Sequence, residues 1–222
     1  MGYSLSTVFA ASDVETLHQT NTNVVVAKPS SAGGTPDVAW IVYAPFQNNT
    51  MTWEEQYGIY ASNVSTDTSG VVLTQLANRD GAQPGQIYTF SPAGTFLNPV
   101  SGGTEGSFTI KNQNTDYSYL TMGLYQSAVV NGISTVGNAV SAAPVLSGST
   151  AQITPYTTVY VWTQSNISSN SVDTIVTSTK TEVIFGGSDT SAKLQYVPGV
   201  GFTLLSGSQE DVTLKHHRRA VL

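Results

Sequence analysis

Polar and apolar positions alternate along this chain with a period of two, the pattern of strands that bury one face. The clearest run is Val38 to Tyr43, where Val38, Trp40 and Val42 are expected on one face and Ala39, Ile41 and Tyr43 on the other. Thr158 to Trp162 behaves the same way, with Tyr160 and Trp162 opposed to Val159 and Val161. Further strands are expected at Ser4–Ala10, Asn23–Ala27, Tyr57–Ala61, Val71–Leu76, Gln86–Phe90, Ser107–Lys111, Tyr119–Gln126, Asn138–Ala142, Asp173–Ser178, Thr181–Phe185, Ala192–Val197 and Phe202–Leu205. Turn chemistry separates them, as at Asn48-Asn49, Asp80-Gly81 and Pro198-Gly199. Ser12 to Gln19 suits a turn or two of helix, whereas Gly132, Gly137 and many β-branched residues argue against one in the apolar stretch Ser127 to Val140.

The chain also matches itself. Offset by 115 residues, positions 5–35 align with 120–150 without a gap, and ten of the 31 pairs are identical, among them Asn23/Asn138, Val25/Val140 and Pro29/Pro144. With small insertions the match continues: Ile41-Val42 falls over Val161-Trp162, and Phe90, Pro92 and Phe96 fall over Tyr196, Pro198 and Phe202. The expected architecture is an all-β antiparallel β-sandwich of two pseudo-twofold related repeats packed as one unit. The first repeat spans 1–115 and the second 116–208, followed by a tail at 209–222.

Composition narrows the function. Charged residues are only 10 % of the 222, so the surface is carried by Ser, Thr, Asn, Gln and Gly. The net charge is −6, and the last fourteen residues sum to +1, leaving an acidic body that repels a phosphate backbone; nucleic acid is not an expected partner. Cysteine is absent, which removes disulfides, thiolate nucleophiles and thiolate metal sites and tilts the expected home to the cytoplasm. The first fifteen residues lack the charged and apolar regions of a signal peptide, and no stretch approaches the roughly 18 apolar residues of a membrane span, so no membrane partner is expected.

Reactive constellations are hard to assemble. The three histidines are His18, His216 and His217, and no Gly-x-Ser-x-Gly elbow presents a serine. Glu54 and Glu55 are the best carboxylate pair for glycoside hydrolysis, yet neighbours on a strand point to opposite faces. No catalytic residue is assigned, and a non-enzymatic role is expected. Asp80 and Asp189, in oxygen-rich loops, are the candidates for a metal, with ordinary Asx turns as the plainer reading.

Aromatic residues carry the remaining signal. Trp40, Tyr43, Phe46, Trp53, Tyr57 and Tyr60 crowd one segment, and Tyr156, Tyr160 and Trp162 form its counterpart. Most are expected in the core. Trp53, however, is read as lying in a polar loop, Asn48 to Tyr57, that supplies little to bury it. Trp40, Trp53, Tyr57, Tyr60, Tyr160 and Trp162 are therefore the expected ligand-binding residues of a pocket between sheets or halves.

The segments Val38-Ala39-Trp40-Ile41-Val42-Tyr43-Ala44-Pro45-Phe46 and Gln56-Tyr57-Gly58-Ile59-Tyr60-Ala61 resemble the small cytosolic β-proteins of mushroom fruiting bodies, in particular the pink chromoproteins of oyster mushrooms. The resemblance implies a non-covalently held aromatic chromophore and a bound divalent ion, and assigns no site residue. Two functions stay open: a chromoprotein-type binder of a small aromatic ligand, and a carbohydrate-binding lectin with paired loop sites. A small molecule or a glycan is the expected partner, and a homo-oligomer is left open.

Overall fold

Val24, Val25, Val26 and Ala27 are all completely buried, which requires packing on both faces of their strand. Val24 and Val26 join the main core, while Val25 and Ala27 pack against Ala39, Trp162 and Ile167 on the opposite side. This strand is an inner member of a small sheet in a computed structural model that describes residues 2–172 and 178–206.

In chain order the elements are β1 (Gly2–Val8), α1 (Ala11–Gln19), β2 (Thr22–Ala27), β3 (Ile41–Tyr43), β4 (Asn48–Glu54), β5 (Tyr57–Ser62), β6 (Ala77–Ala82), β7 (Gln86–Phe90), β8 (Val100–Ser101) and β9 (Phe108–Asn112). They continue with β10 (Tyr119–Val130), β11 (Ile133–Ala139), β12 (Ala143–Leu146), β13 (Thr150–Ile153), β14 (Val159–Ser165), β15 (Thr181–Val183), β16 (Ser191–Val197) and β17 (Gly201–Ser206). The all-β expectation holds, with one short helix among the described residues where a helical turn was expected. Nine strands form the main sheet, β17-β16-β1-β4-β10-β5-β6, with β11 and β12 also on β10. Two four-stranded sheets, β13-β9-β7-β8 and β15-β14-β2-β3, cover it in a sandwich-like arrangement, and apolar residues of all three meet in one core. Pairing is not purely antiparallel as expected: β1 runs parallel to β16, and β7 to β9. Both pairs join strands far apart in sequence or linked by a long crossover, the condition under which parallel pairing is possible.

β10 organises the main sheet. Its even positions Leu120, Met122, Leu124, Ala128 and Val130 enter the main core, while Tyr125 faces a second cluster with Tyr60 and Leu73. One edge of β10 carries β12 and then β11; the other carries β5 and then β4. The N-terminal segment 1–115 and the segment 116–208 are thus interleaved in one sheet.

Several sequence expectations shift. The run Val38 to Tyr43 becomes a strand only from Ile41, and Trp40 and Ile41 both enter the main core rather than opposite faces. The backbone before Ile41 is held elsewhere: the Trp40 carbonyl accepts Asn138 Nδ2 at 2.9 Å, and Ala39 exchanges bonds with Ser171 and Asn170. Val71–Leu76 makes one isolated bridge, Val72 to Ser171, instead of a strand. Asp80-Gly81 lies within β6, where Gly81 takes φ 65° beside a register shift, so the turn signal marks a bulge. Residues 173–177 of the expected strand Asp173–Ser178, and the tail 209–222, lie outside the described residues.

The self-match has a mixed structural outcome. Ile41 and Val161 both pair with Val26, and Val42 and Trp162 both pair with Val25, from opposite sides of β2. Phe90 meets Phe96 edge-on at 5.1 Å, and Tyr196 meets Phe202 in the same manner at 5.6 Å. Yet helix α1 aligns with residues 126–134, which run along β10 into its hairpin.

Close packing behind β10 depends on Gly123, where a Cβ would lie 2.0 Å from the Ser141 carbonyl oxygen and 2.8 Å from Tyr60. Gly123→Ala is expected to cost more than about 3 kcal/mol in urea unfolding, because backbone must move. Gly132→Ala, in an open hairpin turn with φ 82°, is expected to cost only about 1 kcal/mol.

Candidate functional site

The site begins with a parity rule. Val24 and Val26 point into the main core, so the next residue on that face is Lys28, just past the end of β2. Its residue is 2 % exposed, and an ammonium taken that far from water requires a counter-charge. Glu55 supplies it. Lys28 Nζ donates to Glu55 Oε1 at 2.8 Å and to the Tyr57 hydroxyl at 2.9 Å, and sits 5.3 Å from the Trp40 ring centroid and 5.1 Å from that of Tyr57. The Trp40 ring presents its π face to the cation, whereas Tyr57 meets it with its hydroxyl edge.

Glu55 reaches this position through a break in the ladder. β4 and β5 run in the same direction along one edge of β10, with Trp53 opposite Ala128 and Gly58 opposite Tyr125. Between those pairs the first run holds residues 54–57 and β10 holds only 126–127, so two extra residues are pushed out as a wide bulge. On the other edge of β10 the register to β11 also shifts between Gln126 and Ala128. The freed backbone groups find partners: Trp40 Nε1 donates to the Gln126 carbonyl at 2.9 Å, and Gln126 Nε2 donates to the Glu54 carbonyl at 2.6 Å.

The bulge forms the floor of a groove of about 1330 Å3. Its walls come from the start of β1, the β4–β5 junction, the end of β6 and the middle of β10. The groove therefore lies where the two sequence segments meet. Trp53 Nε1 donates to Glu55 Oε1 at 3.1 Å, and the Tyr57 hydroxyl donates to Glu55 Oε2. Tyr3 stacks tilted on Trp53 at 5.6 Å, and Trp40 meets Trp53 edge-on at 5.7 Å.

Protonation follows from these contacts. Burial pushes the Lys28 amine down to about 8, against the opposing pull of Glu55. Burial pushes the Glu55 carboxyl up, but Lys28, Tyr57 and Trp53 together outweigh it and hold the carboxyl below its ordinary value of 4.5. Burial and the Glu55 charge raise the Tyr57 phenol, which keeps its proton. The cluster at neutral pH is thus an ammonium, a carboxylate and a neutral phenol.

The expected ligand residues separate. Trp53 and Tyr57 line the groove, and Trp40 stands directly behind Trp53. Tyr60 is fully buried in the second cluster, with its hydroxyl on the Ser141 carbonyl at 2.8 Å. Trp162 is fully buried with Tyr160 packed beside it on the outer face of β2, where Lys180 Nζ lies 4.1 Å from the Trp162 ring. Tyr160 donates to Glu182 at 3.1 Å, and its phenol is raised to about 12 by burial and that carboxylate. Trp53 is not in a loop: it is a buried position of β4, whose alternation places Asn49, Met51 and Trp53 inward. Lys28 and Gln126 were not singled out from sequence, although the parity of 24, 26 and 28 along β2 marks Lys28; Glu55 was named only as half of a carboxylate pair with Glu54.

Asp80 accepts the Tyr125 hydroxyl, Asp189 closes a tight turn with Gly186, and no group of three potential ligands from His, Cys, Asp and Glu occurs among the described residues. Among the same residues no helix is long and apolar enough to cross a membrane. No family model, curated protein or solved structure matches this chain.

Removing Glu55 strands a buried cation, whereas removing Lys28 leaves a carboxylate with two other donors and some water. Glu55→Gln is therefore expected to cost about 3–5 kcal/mol at neutral pH, and Lys28→Met distinctly less, in urea unfolding. The depressed Glu55 pKa stabilises the fold above 4.5 and that contribution is lost as pH falls through the folded value; Glu55→Gln is expected to lack this acid-side decline. On the alkaline side the sign is opposite to a gained partner: between about 8 and 10.5 the unfolded chain holds the Lys28 proton and the folded one releases it, so this residue's penalty shrinks as pH rises.

Proposed function

We propose that this chain is a non-catalytic binding protein that holds a small aromatic ligand or pigment in the groove over the β4–β5 bulge. The observation that carries the reading is the pair Trp53 and Tyr57, locked by Glu55 into the wall of a cavity of about 1330 Å3. Cavities that take small molecules run to about 300–1,000 Å3 with apolar walls and a few fixed polar groups, and this groove has room for such a guest. The rigid anchoring of both rings means little order has to be gained on binding.

The chemistry of the cluster supports a passive role. Glu55 accepts three hydrogen bonds and is held below its ordinary pKa, which makes it a poor general base. Lys28 is walled off from the groove by the rings it contacts, so its lowered pKa does not present a nucleophile to a guest. The likeness of Val38 to Phe46 and Gln56 to Ala61 to the fruiting-body chromoproteins belongs to the same proposal, as do a cytoplasmic home and descent from a duplicated strand unit. The matched pairings about β2 and the two edge-on aromatic pairs support the duplication; helix α1 has no counterpart.

A lectin is the second reading. It is favoured by the polar rim of the groove, where Gln56, Gln83, Ser127 and Ser134 offer hydrogen bonds beside the aromatic wall.

Protein purified under native conditions is expected to carry a small molecule, seen as an absorption band beyond the ~320 nm limit of aromatic side chains and as extra mass lost on denaturation. Tyr57→Ala is expected to lose that mass. A colourless protein of bare polypeptide mass that binds on a glycan array would transfer the groove to the lectin reading.

A further inference from the structure

One strand of the main sheet leaves part of its edge uncovered. Asn131 (φ 50°) and Gly132 (φ 82°) form the two-residue turn of the β10–β11 hairpin, and such a turn makes Val130 and Ile133 a hydrogen-bonded pair. The Asn131 N–H bonds the Thr50 carbonyl, so odd positions of β10 near the turn face β4 and even ones face β11. Ser134, opposite Val129, therefore points its N–H and C=O away from the sheet. Val136 has no partner in the ladder. Further along, the protein covers this edge itself: Gln75 Nε2 donates to the Gly137 carbonyl at 2.8 Å, and the Ala139 N–H donates to Asn170 Oδ1 at 2.7 Å. Among the described residues that cover stops short of Val136.

The uncovered stretch lacks the usual guards. Edge strands of monomers are blunted by charge, proline or a bulge. β6, at another edge of the sheet, carries Arg79, Asp80 and the bulge at Gly81. β11 has neither charge nor proline, and no charged residue occurs between Asp116 and Asp173. Its register shift lies beyond Thr135 and leaves Ser134 in regular pairing. Ile133 and Val136, 72 % and 77 % exposed, are the most exposed large apolar residues among those described.

We propose that this edge pairs with the β11 of a second copy, antiparallel and about a twofold axis, so that one sheet runs through both molecules. The twofold sets Ser134 of each copy against the 134–136 backbone of the other, with Ile133 and Val136 withdrawn from water at the seam. Identical neutral edges meet there, so two chains of net charge −6 come together without opposing charges, and the edge offers nothing to a charged partner. Ser134 and Val129 also line the groove, so the seam borders its β10–β11 wall.

Sedimentation velocity of the full chain, run from about 1 to 200 µM, suits so small a seam. The average mass is expected to rise from that of one chain to that of two, and high salt is expected not to weaken the association, since no ion pair holds it. In hydrogen exchange the Ser134 amide is expected to be protected at the high concentration and free at the low one. Ser134→Pro removes a donor that the monomer does not use, and Val136→Lys places a charge on the seam. Each is expected to weaken association at least about tenfold while keeping the circular dichroism of the parent chain. Val200→Lys, at the β16–β17 turn on the opposite side of the sheet, is expected to leave association unchanged. A chain that stays monomeric throughout would overturn the proposal. So would association that survives both β11 variants, or that Val200→Lys disrupts as strongly. If a variant misfolds, the concentration dependence of Ser134 exchange in the parent chain decides.

Discussion

An ammonium buried at 2 % exposure is the most demanding feature of this molecule. Lys28 cannot be solvated, so the chain must bring a carboxylate to it, and the carboxylate must be oriented by further donors for the pair to offset the loss of water. Trp53, Tyr57 and Glu55 meet that demand together. The same three residues make the groove wall. The stability of the core and the shape of the site are therefore set by one set of contacts.

The bulge explains why a regular sheet can hold such a cluster. Had β4 and β5 continued in register along β10, Glu55 would have been one more residue in an uninterrupted ladder. Two extra residues turn the chain outward, release backbone groups that Trp40 and Gln126 then satisfy, and open a groove in the sheet. Irregularity on both edges of β10 at Gln126 concentrates the departure from ideal geometry at one place, which is where binding sites on sheets tend to be built.

Much of the fold was legible because most strands have apolar alternation of their own. Val159 and Val161 against Tyr160 and Trp162 divide between the two sides of the small sheet as their spacing predicts. β4 was not legible, since its inward row Asn49, Met51, Trp53 begins with an amide, and Asn48-Asn49 reads as a turn. Asn49 is buried because its side chain serves the Phe46 and Thr7 carbonyls, a role no local pattern announces. Of the site, Trp53 and Tyr57 could be named from composition and Glu55 as half of a carboxylate pair, but not Gln126, and the roles of Glu55 and Gln126 depend on a register between strands more than seventy residues apart. Trp162 and Tyr60 drew the same attention as Trp53 because sequence alone does not tell an aromatic of the core from one at its rim.

The claim that Lys28 is sealed among Trp40, Tyr57 and Glu55 is tested most directly by nuclear magnetic resonance titration of its Nζ and Cε signals in the folded protein. The account predicts a midpoint of about 8 and slowly exchanging ammonium protons. A midpoint at the ordinary 10.5 with fast exchange would place that ammonium in water and contradict it.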